Sequence, residues 1–364
     1  LNTMPPMDPS LLEDVSNHEG RTEAEMRRWG RLSAPMARRR GEPGFKRITW
    51  EDALTRIAAR VQDTDPRRLG FYLVSRGTAN ETYYVAQKAA RLLGTNHVDN
   101  SARICHSPST VGLASTIGYA ATTCSYKDLI GTDLVVLIGS DTANNQPVTM
   151  KYLHMAKKEG TRVAVINPYK EPGLERYWIP SSVDSAVRGT KIADAHFSIR
   201  VGGDIAFING VLKHLIADGR IDREFVADHT HGFSALCENL AGQDFEDLEA
   251  RSGTTRLEMK RFADLYGSAR SAILVWSMGV TMHRHGVDNV KAISNLALAR
   301  GMVGRPHTGL MPIRGHSGVQ GGAEMGCVPN QLPGAAFDPE GLAGLSRAWG
   351  FPVPEWKGAF AADM

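Results

Sequence analysis

The sequence predicts an α/β fold, doubly wound, with mainly parallel sheets and flanking helices. Three observations predict it. Asp133-Leu-Val-Val-Leu-Ile-Gly139 is a continuous apolar run suited to a parallel strand covered on both faces. Pro147 stands where a helix would start, Lys158-Glu-Gly160 ends it, and Thr161-Arg-Val-Ala-Val-Ile-Asn167-Pro168 supplies the next strand, which completes a βαβ unit. Ser271-Ala-Ile-Leu-Val-Trp276 repeats the buried-strand pattern further along the chain.

The remaining elements follow from periodicity and punctuation. Ile48 to Gln62 reads as a helix with Thr49 as its N-cap. Gly70-Phe-Tyr-Leu-Val-Ser75 reads as a buried strand that stops at Arg76-Gly77-Thr, with a helix beginning near Asn80 and running to Gly94. Such a strand–turn–helix leaves backbone N–H groups at a sheet edge, a general anion site, although an ordinary turn and cap also explain Gly77 and Asn80. Asp194 to Arg200 reads as a strand, followed by Val201-Gly-Gly203-Asp204 and a helix to about Asp218. Asp204 is a candidate N-cap there, and the glycines permit close approach to a phosphate or ribose. Arg223 to Gly267 is helical, with Thr254 or Thr255 as a cap. A helix spans Val287 to Gly301, and the irregular stretch Asn330 to Gly344, rich in Pro and Gly, is expected to wrap the surface.

In a doubly wound sheet the ligand crevice lies at the carboxyl ends of the strands, here Gly139-Ser140-Asp141 and Asn167-Pro168-Tyr169. Neither turn has Gly-x-Gly-x-x-Gly spacing, so a nicotinamide-binding fold is poorly supported. A net charge of +3 argues for neither nucleic acid nor a membrane surface as main partner, and no segment is apolar and long enough to span a bilayer. Arg38-Arg-Arg40 is not followed by an apolar run, so a twin-arginine export signal is rejected. The arginine-rich stretch from Arg21 to Arg47 is expected to be a solvated, poorly ordered leader. Four widely spaced cysteines form neither a Cys-x-x-Cys motif nor a disulfide framework, so a reducing, cytoplasmic setting is expected, with Cys124, Cys237 and Cys327 as small buried hydrophobes. His229-x-His231 and His283-x-His285 lack a partnered carboxylate or thiolate and are expected to be exposed loop histidines.

The chemistry concentrates in two loops. Ser101-Ala-Arg-Ile-Cys105-His106-Ser-Pro-Ser109 sets a soft sulfur ligand beside a proton-transfer group. Met311-Pro-Ile-Arg314-Gly315-His316-Ser-Gly-Val-Gln320-Gly321-Gly322 carries a guanidinium fork suited to a carboxylate.

These loops, together with Ser75-Arg-Gly-Thr-Ala-Asn80-Glu81, Asp133 to Asp141 and Trp276-Ser-Met278-Gly279-Val-Thr281, occur in the order seen in the molybdopterin oxidoreductases. From about Trp50 onward the chain resembles the formate dehydrogenase catalytic subunit of that family. The resemblance implies molybdenum or tungsten held by a bis-molybdopterin guanine dinucleotide, with Cys105 as the metal ligand. Arg314 would grip a small anion such as formate, and His106 would take up or relay the proton. It implies cofactor contacts at Arg76, Gly77, Asn80, Gly139, Ser140, Asp141, Asn144, Asn167, Pro168, Gly203, Asp204, Met278, Gly279, Gly315, His316, Gln320 and Gly321. His316 and Ser317 depart from the polar residues that follow this arginine in formate enzymes. Most family members carry an N-terminal 4Fe–4S cluster, so the resemblance allows such a cluster in the full-length protein together with an electron-transfer subunit, but this chain holds no cluster ligands.

The resemblance further implies a leader over 1–47, an incomplete α/β lobe built from 48–100 with 317–364, and a dinucleotide-binding-like lobe over 101–316. The N-terminal iron–sulfur and C-terminal pterin-binding domains are expected to be missing, so the chain reads as a fragment. A related enzyme of another substrate, or an inactive cofactor-binding fragment, is the alternative.

Overall fold

The computed structural model describes residues 4–364. The first segment is short-range structure: 3₁₀ turns at Pro9–Leu12 and Val15–His18, a helix at Glu23–Arg27 with a Thr22/Glu25 capping box, and an antiparallel ribbon of β1 (Met36–Ala37) and β2 (Lys46–Arg47). The leader therefore has defined local structure held by caps. Helix α1 (Trp50–Gln62) starts at Thr49, whose hydroxyl accepts from the Asp52 amide at 3.0 Å.

Next come β3 (Phe71–Leu73), α2 (Asn80–Leu92) and β4 (Val98–Asn100), with β3 and β4 paired in parallel. The expectation of a buried strand at 70–75 is corrected. Tyr72 is 49% and Val74 65% exposed, because α2 and Cys327 cover one face of this pair and nothing among the described residues covers the other.

From β4 the chain enters α3 (Ala102–Cys105) and α4 (Ser107–Ile117). It then builds the main sheet: β5 (Leu134–Ile138), α5 (Pro147–Lys158), β6 (Arg162–Ile166), β7 (Ala195–Phe197), α6 (Asp204–Ala217), α7 (Arg256–Ser268), β8 (Ala272–Trp276), α8 (Gly286–Leu298) and β9 (Gly309–Pro312). The strands lie in the order β7-β6-β5-β8-β9 and every neighbouring pair is parallel. Alternation along β5 sorts the two faces. Leu134, Val136 and Ile138 join a core with α4, α6, α7 and α8, whereas Val135 and Leu137 join one with Met150 and Leu153 of α5. Each fully buried Leu, Ile or Val contributes roughly 1.5–3 kcal/mol, so a strand covered on both faces is strongly specified. This is the doubly wound arrangement that the continuous apolar runs predict.

The chain closes with α9 (Val319–Glu324) and α10 (Pro339–Trp349). Helix α10 corrects the irregular reading of 330–344: Asp338 caps it at the Gly341 amide, 2.8 Å, and Leu342 packs with Leu332 and Val353. Another correction concerns Asp204, which is the first residue of α6 rather than its cap. Gly203 holds the cap position, and the Asp204 side chain is buried. Among the cysteines only Cys105 and Cys327 are buried, while Cys124 and Cys237 are half-buried.

Candidate active site

The candidate residues collect at the carboxyl edge of the main sheet. After β5 the backbone turns through Gly139 at φ +56°, a conformation that favours glycine. The Gly279 amide donates to the Gly139 carbonyl at 3.0 Å, and a Cβ on Gly279 would sit 2.6 Å from that oxygen, so the turns after β5 and β8 touch backbone to backbone. Ser140 is buried against Thr142, and Asp141 caps a short helix and accepts from the Asn144 side chain at 2.8 Å. After β6, buried Asn167 donates to the Tyr169 carbonyl at 2.8 Å, while Pro168 is exposed. After β7, Gly203 presses on the Ser252 backbone, and burial pushes the Asp204 carboxyl up to about 6. A hollow of about 890 Å³ opens beside it, lined by Asn209, Gln243, Asp244 and Arg251.

The Cys105 loop enters from the other side. Strand β4 delivers α3, and the Cys105 carbonyl accepts from the Thr281 hydroxyl, which ties it to the turn after β8. The buried thiol is pushed up by desolvation, opposed by the Arg314 guanidinium. His106 is fully buried and both ring nitrogens are engaged: Nδ1 with Ser109 Oγ at 2.9 Å, Nε2 with the Ile313 carbonyl at 3.0 Å. The directions are forced. A carbonyl can only accept, so Nε2 carries the hydrogen, and Nδ1 accepts from Ser109, whose oxygen in turn accepts from Trp276 Nε1–H at 2.9 Å. Burial, with Arg314 adding to it, lowers the His106 pKa to about 4. In this arrangement the one lone pair of the ring accepts from the Ser109 hydroxyl, which is the geometry any proton-acceptor role for His106 has to work against.

The Arg314 loop leaves β9 beneath this chain of hydrogen bonds. Arg314 is half-buried, and burial lowers its pKa. Arg76, Gly77 and Asn80 lie against the same loop. The Gly77 amide donates to Ser317 Oγ at 3.3 Å, the Gly318 amide to the Ser75 carbonyl at 3.1 Å, and Gly321 faces Asn80 so closely that a Cβ would meet its side chain. Arg76 and Gln320 are exposed. A cleft of about 560 Å³ follows the loop, lined by Arg314, His316, Gln320, Thr122, Tyr126 and Met311.

These residues do not form one compact cluster. Cys105, Arg314 and the turns at Gly139 and Met278–Gly279 converge, whereas Asp204 follows β7, four strands from β9, or roughly 19 Å at ~4.8 Å per strand. An elongated ligand alone can touch both. Sequence reading missed Ser109, Thr281 and Gln146 as partners of the site. Gln146 reaches Ser277 Oγ at 3.1 Å, and only long-range packing reveals such roles. His229, His231 and His285 are exposed as expected; His283 is half-buried, with Nε2 against the Asn289 side chain at 2.6 Å.

Residues 31–337 match the family model of the molybdopterin oxidoreductases. The chain belongs to that family. This molybdopterin oxidoreductase chain is 35% identical over 347 residues to protein YdeP of Escherichia coli K12, covering 92% of this chain and 45% of that protein. It is 33% identical to formate dehydrogenase H of the same organism, covering 88% and 44%. To the F420-dependent formate dehydrogenase 2 subunit alpha of Methanococcus maripaludis it is 34% identical, with the same coverages of 88% and 44%. The chain thus spans less than half the length of these curated relatives. Its fold is similar to that of acetylene hydratase from Pelobacter acetylenicus, with a TM-score of 0.55 at 21% identity over 74% of this chain and 36% of that one.

The family implies a molybdopterin cofactor, and the donor set fits it. Among the described residues no three His, Cys, Asp or Glu side chains converge to hold a metal ion. A metal at Cys105 would then take a single protein thiolate and its other ligands from the pterin sulfurs. No helix among the described residues is long and apolar enough to cross a membrane.

Proposed function

We propose that the protein containing this chain is a formate dehydrogenase-like oxidoreductase that converts formate to carbon dioxide at a molybdenum or tungsten bis-molybdopterin guanine dinucleotide. The observation that carries the reading is the tie between the two loops: His106, next to the buried Cys105, donates from Nε2 to the carbonyl of Ile313, next to the half-buried Arg314, at 3.0 Å. When bound, the metal–pterin group supplies a two-electron acceptor. Arg314 pairs its planar fork with the carboxylate and so aims the C–H bond toward the Cys105 side. Loss of one proton and two electrons from formate leaves carbon dioxide. With His106 Nδ1 occupied, the proton leaves along the polar cleft rather than through that ring. His106 acts here as a positioning residue, joining the Cys105 loop to the Ile313 carbonyl one residue before Arg314.

The guanine dinucleotide form is supported by the span between Arg314 and Asp204, with Asp141, Asn144 and Asn167 between them. The lobe division of 48–100 with 317–364 is supported by hydrogen bonds from Arg91, Asn96 and Asn100 to residues 326–356. An electron-transfer subunit belongs to the same reading, since one relative is named as an alpha subunit, and a cytoplasmic location rests on the four free cysteines.

Elemental analysis of the full-length protein tests the cofactor: near-stoichiometric Mo or W is expected, falling to background in Cys105→Ala. Arg314→Lys keeps the charge but loses the fork, and formate turnover should drop at least ~100-fold with metal content unchanged. Full turnover in Arg314→Lys would refute the substrate pose.

A further inference from the structure

Helix α1 carries an apolar stripe that no other element covers. Trp50, Leu54, Ile57 and Val61 recur every three or four residues, the spacing of one helix face. Yet no residue of the helix is buried, and Trp50 is 69%, Leu54 61% and Ile57 60% exposed. Strand β3 follows, with Tyr72 and, just past its end, Val74 also exposed, and β4 is its one partner strand among the described residues. Parallel strands occur almost only in sheets covered on both faces, and two strands alone are marginal in water. Contiguous exposed apolar surface of this kind marks a place where something docks.

We infer that the part of the full-length protein following Met364 folds back onto this face, laying an apolar segment across Tyr72 and Val74 and against the Trp50, Leu54 and Ile57 stripe. Chain of that length exists in the curated relatives, of which these residues span 45% or less. Its point of departure is also set. The β4 side of the pair is already closed: the Asn96 side chain donates to the Pro354 carbonyl at 2.8 Å, and the Asn100 side chain to the Cys327 carbonyl at 2.7 Å. The last residues run along that side, the Ala359 amide donating to His97 Nδ1 at 2.8 Å and the Ala361 amide to the Asp99 carboxylate at 3.0 Å. A final turn, with the Met364 amide on the Phe360 carbonyl at 3.1 Å, then brings Met364 to Gly70, where a Cβ would lie 3.3 Å from its Sδ. Gly70 immediately precedes β3, so whatever follows Met364 is released beside the uncovered strand. A segment tethered there meets the face at high effective concentration, an advantage that a second copy lacks. The inference stands apart from the reading of Cys105 and Arg314, and its test leaves that reading untouched.

The test uses the full-length protein with p-benzoylphenylalanine in place of Tyr72 and, separately, of Ile57. Each is prepared as an equal mixture of isotopically light and heavy chains and irradiated, and the cross-linked peptides are identified by mass spectrometry. At both positions the cross-links should join light to light and heavy to heavy, and should end on peptides that follow Met364. Light–heavy pairs would assign the face to a second copy, and pairs confined to peptides before Met364 would assign it to other parts of the chain; either result at either position overturns the inference. Maleimide labelling of Val74→Cys in the same full-length protein decides the matter if cross-links are sparse. It should run at least ~100-fold more slowly than in the urea-unfolded protein. Labelling at the unfolded rate would mean that the face stays open to solvent, and the inference fails.

Discussion

Asp204 illustrates how position sets chemistry at the level of one side chain. Its folded pKa of about 6 lies above the ordinary 3.8 because burial penalises the charge. The folded state therefore holds the proton more tightly than the unfolded chain. The associated stability is fully present below pH ~3.8 and is lost as pH rises through about 6, by up to ~3 kcal/mol. We expect denaturant-derived stability to fall between pH 4 and 6.5 and this slope to vanish in Asp204→Asn; an unchanged slope in the variant would assign the pH dependence elsewhere. Ser109 makes the complementary case. Ser109→Ala strands Trp276 Nε1–H and His106 Nδ1 in the interior, and each buried orphan costs about 1–3 kcal/mol. Urea unfolding should show a loss of at least ~2 kcal/mol, whereas Ser109→Thr, which keeps the hydroxyl, should recover most of it.

Between elements, the contact of the turns after β5 and β8 permits no side chain. In Gly279→Ala the new methyl would lie 2.6 Å from the Gly139 oxygen and 2.8 Å from its Cα, both backbone atoms that cannot swing aside. A loss of about 2 kcal/mol or more is expected. Gly344 inside α10 is the control: nothing lies within 4 Å of its Cβ position, so Gly344→Ala should stabilise by ~0.5–1 kcal/mol. Thermal unfolding of the two variants should move in opposite directions. Helices and strands themselves were well marked in the sequence. β5 and β6 are apolar throughout their interiors because both faces are covered, and Thr49, Thr255 and Pro147 stand at helix starts as capping chemistry requires. Where reading by element failed, at 70–75 and at α10, the local pattern was sound as far as it went. An apolar strand reads the same whether or not a layer covers it, and Pro-Gly-rich flanks masked a short amphipathic helix.

Across the molecule, residues 317–364 are clasped to 48–100 by Arg91. This side chain is fully buried with no carboxylate partner, and its pKa is lowered to about 10 by desolvation. Its donors are taken by Asn96 at 3.0 Å, Gln87, and the carbonyls of Gly326 at 3.0 Å, Val328 at 3.3 Å and Gln331 at 2.9 Å. Arg91→Met leaves those carbonyls without a donor and should cost at least ~3 kcal/mol. If the clasp holds the segment, limited proteolysis should cut the variant first between 326 and 350 while the main sheet stays intact; simultaneous loss of both regions would show a single cooperative unit.

From residue order alone, the doubly wound class, the βαβ unit and the two loops bearing Cys105 and Arg314 could be read, because periodicity, caps and short motifs are local properties of a chain. Folding set the rest. It brought those distant loops to one sheet edge, carried Asp204 four strands away, and placed Ser109 and Trp276 around His106 so that its ring ties the two loops together. Whether a side chain is a base, a ligand or a brace depends on burial and on which partners meet it in space, and neither quantity is carried by any stretch of sequence short enough to be read as a motif.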